Sequence, residues 1–228
     1  MTYLDDFGPF FGVDTHSAHE SAHLPWITIT DLLVDGGHLL RRRVARVRAA
    51  LAGGGGADVE QRVAASVAHL GLVARIIAPA MAAETVGHGP ISLAPGDLWW
   101  RDELGGPYPL SVTTAHGADT DADTDAITLL TASIRDLFGV SEHTLGGNVA
   151  SAINSAARLI ASHRPEFGAA AHNVADRLLA DPRIEGGSRR AGPQFRRRSC
   201  CLIYQVTGDR TAVCGDCVLT ASGPQHTG

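Results

Sequence analysis

Lysine is absent from the 228 residues, so all 19 basic side chains are arginine. A Schiff-base enzyme, a pyridoxal-phosphate enzyme and a phosphate loop ending in Gly-Lys-Ser/Thr each require an amine, and all three are excluded. Cysteine is nearly as scarce. Only Cys200, Cys201, Cys214 and Cys217 occur, all within the last 29 residues, so they form one site or none. Positive charge is also in deficit: 19 basic against 24 acidic residues leave a net charge of −5, which argues against nucleic acid as the main partner. No long apolar run is present. Leu72 to Val86 is the longest, broken by Arg75, Pro79 and Glu84, and it falls short of the ~20 residues of a membrane span. It reads as a core helix. Met-Thr-Tyr-Leu-Asp-Asp at the start has neither the basic nor the apolar region of a secretory signal, so a cytoplasmic location is expected. In a reducing compartment a tight cysteine cluster points to metal or redox work rather than to a disulfide framework.

What remains is an ordinary globular composition, 44% hydrophobic, in a chain long enough to bury a core. The expected fold class is mainly α with a small β portion (α+β). Residues 1–185 are expected to form a mainly helical domain, and residues 186–228 an Arg-rich linker and C-terminal cysteine segment. Residues 1–30 lack a sustained period and read as an irregular arm. Leu40, Val44, Val47 and Leu51 recur at helical spacing up to the glycine run at 53–56. Asp58 with Gln61 matches a capping box for a helix ending at Gly71, and a further helix from Leu72 to about Gly87 should kink or split at Pro79. The prolines and short apolar runs of residues 91–116 predict strands. Helices follow at 123–138, from Ser141 to Pro165, and before Pro182. Trp99, Trp100 and Tyr108 read as packing residues, with a substrate groove as the sharper option. Asn148, beside the apolar stripe of its helix, reads as a buried hydrogen-bonding group.

Two motifs resemble metal sites without the surroundings these need. His19-Glu20-Ser21-Ala22-His23 has the letters of a zinc protease helix, yet Pro25 follows at once and no third ligand is near. Asp119, Asp121, Asp123 and Asp125 alternate like a calcium loop but lack its glycine and its closing glutamate, so a solvated loop before a helix is expected.

The informative pattern is Cys200-Cys201-x12-Cys214-x2-Cys217. Leu-Ile-Tyr-Gln-Val and Thr-Ala-Val flank Thr207-Gly208-Asp209-Arg210, which predicts a hairpin returning Cys214 to Cys201. Four thiolates suit a [2Fe–2S] cluster or a tetrahedral zinc. A Cys-x2-Cys pair chelates one metal readily, which puts Cys214 and Cys217 on one ion. Adjacent cysteines in an extended chain point to opposite faces, an awkward bite for a single ion. Spacing therefore favours iron–sulfur over zinc and leaves zinc, or unligated thiols, open.

Arg196-Arg197-Arg198-Ser199-Cys200-Cys201-Leu202-Ile203-Tyr204 followed by Cys214-Gly215-Asp216-Cys217 resembles the C-terminal motif of the FhuF-like ferric-siderophore reductases. Weaker likeness extends to Gly147-Asn148-Val149-Ala150-Ser151-Ala152 and Leu178-Leu179-Ala180-Asp181-Pro182. This chain has twelve residues between its cysteine pairs where the family usually has ten; an even insertion at a hairpin tip keeps side-chain facing. The resemblance implies a [2Fe–2S] cofactor on Cys200, Cys201, Cys214 and Cys217, with no separate catalytic residue assigned. It also implies one-electron reduction of a ferric siderophore and an electron donor such as a ferredoxin or flavin reductase. Arg189, Arg190 and Arg196 to Arg198 would then raise the cluster potential or attract an acidic partner. The reading from another functional class is a non-enzymatic, zinc-stabilised binding module that uses the same cysteines.

Overall fold

The computed structural model describes residues 4–53, 58–114, 123–187, 190–207 and 214–219. A four-stranded sheet is built from β1 (Asp14–His16), β2 (Ile27–Thr28), β3 (Leu98–Trp100) and β4 (Leu110–Thr113), in the order β1-β4-β3-β2. β1 runs parallel to β4 and the other pairs are antiparallel, with Trp99 opposite Ser111. The arm expected to be irregular thus supplies two strands. Their brevity, three residues and two, leaves no periodicity to read. Buried Arg75 anchors the arm by donating to the carbonyls of Phe10 and Gly12, while its Nε donates to the Tyr108 carbonyl.

The helices are α1 (Ile29–Leu33), α2 (His38–Leu51), α3 (Gln61–Thr85), α4 (Ala126–Phe138), α5 (Glu142–His163), α6 (Gly168–Leu179) and a single turn, α7 (Tyr204–Thr207). Asp125 caps α4 and Ser141 caps α5, each side chain accepting from a backbone N–H three residues on. Two expectations fail at α3. It runs unbroken through Gly71 and Pro79, so the two expected helices are one. Asp58 makes no cap and instead pairs with Arg48 at 2.7 Å. α3 is buried on most sides, packed by α2, α4, α5 and α6, and such all-round burial compensates the local weakness of glycine and proline. It is long and apolar enough to cross a membrane, but 72% of its most apolar window is buried inside the protein. It is the central core helix.

Trp99, Trp100 and Tyr108 are 6%, 1% and 2% exposed. They pack the sheet: Trp99 stacks on His16 with ring centroids 3.7 Å apart, and Trp100 meets Tyr108 edge-on. His19, Glu20 and His23 are exposed on the arm. Among the described residues no group of three or more His, Cys, Asp or Glu could hold a metal ion. Asp119 and Asp121 lie outside the described residues.

Candidate metal centre

After α6 the chain turns at Gly186 and Gly187, both in the left-handed region. A side chain on Gly187 would place its Cβ 2.5 Å from the Ala180 carbonyl oxygen. That turn buries Glu185, whose Oε1 accepts from the N–H groups of Arg198 (2.8 Å) and Ser199 (3.1 Å). The Ser199 hydroxyl donates to the same oxygen, and Arg198 donates to the Glu185 carbonyl. The cysteine segment is thereby pressed onto α5 at Gly147. A Cβ there would lie 1.9 Å from the Ser199 hydroxyl and 2.8 Å from Glu185 Oε1. Only glycine allows this approach.

The segment is further tied to α3. Ser66 Oγ donates to the Cys201 carbonyl at 2.9 Å and accepts from the Asn148 amide, which also donates to the Ser66 carbonyl. Asn148 is fully buried, the hydrogen-bonding role expected of it. Its Oδ1 accepts from Arg197 Nη2 at 2.7 Å. His69 lies beyond, with Nδ1 3.4 Å from the Asn148 amide and Nε2 3.0 Å from Thr131 Oγ1. Because the Thr131 hydroxyl donates to the Ile127 carbonyl, His69 must carry its proton on Nε2. Burial, helped by the Arg197 charge, pushes the His69 pKa down to about 3, so it is neutral.

Arg197 is 1% exposed and is the residue that distinguishes the site. Its Nε donates to the Ser199 carbonyl and its backbone N–H to the Asp216 carbonyl at 3.0 Å, joining the two cysteine-bearing stretches. Nη1 has no partner, and no carboxylate pairs with the guanidinium among the described residues. The buried Glu185 carboxylate is a nearby negative group, across Gly147 and outside ion-pair distance, and a buried cation that is not directly paired is costly, by several kcal/mol per ion. Besides His69, its field reaches three thiols, Cys200, Cys201 and Cys214, and favours the thiolate in each. The other arginines are placed differently. Arg196 and Arg198 are exposed, Arg190 pairs with Asp176, and Arg189 lies outside the described residues.

Cys201 and Cys217 are buried, and Cys200 and Cys214 are half-buried. Cys201 Sγ lies 3.8 Å from Cys214 Sγ. The bond from the Cys214 thiol, assisted by the Arg197 charge, pulls Cys201 down to about 6 against its burial, while the same bond and burial push Cys214 up. Burial also pushes Cys200 up. Backbone N–H groups two residues on point at the sulfurs, Leu202 to Cys200 at 3.3 Å and Leu219 to Cys217 at 3.4 Å.

The expected return of Cys214 to Cys201 is present, but not by the expected hairpin. Leu202 adopts φ +69° and the next residues coil into α7 instead of a strand; residues 208–213, with the expected turn and second strand, lie outside the described residues. The turn in which Cys200 sulfur accepts the Leu202 N–H overrides the β-propensity of Ile203, Tyr204 and Val206.

The four cysteines do not stand as a group that could hold a metal ion among the described residues, but Cys201 and Cys214 are already paired and the donor set and its surroundings suit a [2Fe–2S] cluster. The orphaned Nη1 of Arg197 suits an anionic group, and a four-thiolate cluster carries −2 or −3 charge, while Glu185 Oε2 and Asp216 Oδ2 are orphaned acceptors in the same segment. The sulfur pair at 3.8 Å matches the edge of a tetrahedron with metal–sulfur bonds of about 2.3 Å, the length found at zinc and similar at iron. Ser66, Asn148, Gly147, Glu185 and Arg197 position the segment; the family resemblance marks Gly147, Asn148 and Arg197, and the cysteine spacing marks none of the five. Ser66 and His69 could have been found as polar residues inside an apolar helix; a lone Glu185 in a Gly-rich linker carries no signal.

No curated protein matches the chain. Residues 197–219 match the family described as the FhuF 2Fe-2S C-terminal domain. The match spans the Arg197-to-Leu219 segment that carries all four cysteines, so the FhuF-like resemblance stands and the cofactor of this site is a [2Fe–2S] cluster.

Proposed function

We propose that this protein reduces ferric siderophores by one electron in the cytoplasm, releasing Fe(II), with Cys200, Cys201, Cys214 and Cys217 holding the cluster. The reading rests on one observation, four cysteines in a FhuF-type segment built on a buried Arg197 that no carboxylate pairs directly among the described residues. When bound, the cluster supplies one-electron transfer. Arg197 favours the more negative reduced state, and the N–H groups of Leu202 and Leu219 do the same from closer range. Siderophores grip Fe(III) through hard anionic oxygens, and Fe(II), with lower charge density, is held far less tightly. One electron therefore releases the metal.

The half-buried Cys200 and Cys214 bring the site toward the surface, where exposed Arg196 and Arg198 suit an acidic donor such as a ferredoxin or a flavin reductase. On the other side of α5 lies a cleft of about 680 Å³, whose lining includes Met81, Ile127, Thr131, Ala132, Val149 and Ile153. Its volume is that of a small-molecule site. Gly146 and Val149 line it, while neighbouring Gly147 and Asn148 touch the cysteine segment. One helix therefore separates cleft from cluster, and the organic body of the siderophore is assigned there.

The test is an anaerobic assay of chemically reduced protein with a ferric siderophore and a chromogenic Fe(II) chelator. Fe(II) should form with the native protein and not with C214S. A colourless protein with one zinc per chain would instead support the non-enzymatic binding module.

A further inference from the structure

The Cys-x2-Cys spacing by itself puts Cys214 and Cys217 on one iron, leaving adjacent Cys200 and Cys201 for the other. The folded segment favours a different division. Cys201 is 2% exposed, with its carbonyl fixed to α3 by Ser66, whereas Cys200 is half-buried and its sulfur accepts the Leu202 N–H. Neighbours so differently placed do not share one small ion easily. The bond from the Arg197 N–H to the Asp216 carbonyl then lays the second cysteine stretch beside the first. In that arrangement Cys214 comes to Cys201, with their sulfurs 3.8 Å apart.

We propose that Cys201 and Cys214 bind one iron and that Cys200 and Cys217 bind the other, so that each iron bridges the two stretches. The 3.8 Å separation is the edge of a tetrahedron with metal–sulfur bonds of about 2.3 Å, so this pair needs little movement to take up a metal. A two-iron centre takes two thiolates at each metal, which leaves Cys200 and Cys217 together. These two present the same local turn, each sulfur accepting an N–H from two residues on. Because each iron spans both stretches, neither stretch can keep an iron alone. The inference rests on the cluster and is independent of which substrate is reduced.

Double serine variants of the full chain, loaded with ⁵⁷Fe and read by Mössbauer spectroscopy, test the division. C201S/C214S and C200S/C217S should each keep one iron with the native quadrupole doublet, and C214S/C217S should perturb both. One native doublet in C214S/C217S, with both irons altered in C201S/C214S, overturns the proposal. Where a double variant fails to hold iron, the metal-free full chain decides. Mild oxidation with diamide, which takes up two electrons and two protons as two thiols couple, is followed by peptide mapping. A dominant Cys201–Cys214 or Cys200–Cys217 disulfide supports the assignment, and a dominant disulfide of any of the four crossed pairs refutes it. Neither readout depends on siderophore reduction, so an inactive protein with the expected doublets would count against the substrate and not against the pairing.

Discussion

Replacing Arg197 with glutamine removes one buried positive charge while keeping an amide able to donate to Asn148 Oδ1. The reduced cluster carries one more negative charge than the oxidised one, so the guanidinium stabilises reduction and its loss should lower the potential. For a charge roughly 8 Å from the added electron and an effective dielectric of about 20, Coulomb's law gives on the order of 2 kcal/mol. For a one-electron couple this is roughly 90 mV. Arg197 is 1% exposed, so mobile ions screen it poorly and the shift should persist at high salt. Glutamine at exposed Arg196 or Arg198 should move the potential by a few tens of millivolts at most, with an offset that shrinks as salt rises. The assay is an anaerobic redox titration of the native protein, R197Q, R197K and R196Q/R198Q at low and high ionic strength. R197K, which retains the charge, should stay near the native value. An unchanged potential in R197Q, or a larger shift in R196Q/R198Q, would refute the assignment of Arg197 as the buried counter-charge.

Gly147→Ala forces a Cβ against Ser199 and Glu185; overpacking of this kind costs about 1–3 kcal/mol, so iron occupancy after reconstitution should drop while α-helical circular dichroism persists. Full occupancy with an unchanged melting temperature would contradict the close approach. His69 gives a pH signature. Its pKa is about 3 folded against an ordinary 6.5, so the stability from keeping it neutral is complete above pH 6.5 and is lost as pH falls towards 3. Between pH 7 and pH 5.5 the loss is about 1 kcal/mol by linkage, measurable by chemical denaturation, and His69→Gln should remove that part of the slope. Ala132→Phe narrows the cleft and should raise KM for a ferric siderophore several-fold without altering the visible spectrum; an unchanged KM would place the substrate elsewhere.

The periodic helices were legible because each has a local start and stop. Asp125, Ser141 and Gly139 sit where the cap pattern requires them. α3 misled because Gly71 and Pro79 are local breakers, whereas its continuity comes from burial by four other helices, information that is not local. The two strands of the arm were invisible for the same reason: they exist through pairing with residues far along the chain. At the site, the cysteine spacing exposed the donor set and favoured its cofactor class, and the Arg-Arg-Arg run marked the right place without saying which side chain is inside. Burial of Arg197 depends on Gly147 and Asn148, some fifty residues away in sequence. The hairpin failed because a single left-handed residue, Leu202, redirects a stretch that is β-like by composition.

The central claim is that the cluster held by this segment passes one electron to a ferric siderophore. Rapid anaerobic mixing of stoichiometrically reduced protein with a ferric siderophore, watching the cluster spectrum and trapped Fe(II) together, tests it most directly. Reoxidation of the cluster should coincide with one Fe(II) formed per cluster, and both should vanish in C201S. A cluster that remains reduced in the presence of excess ferric siderophore would contradict the account.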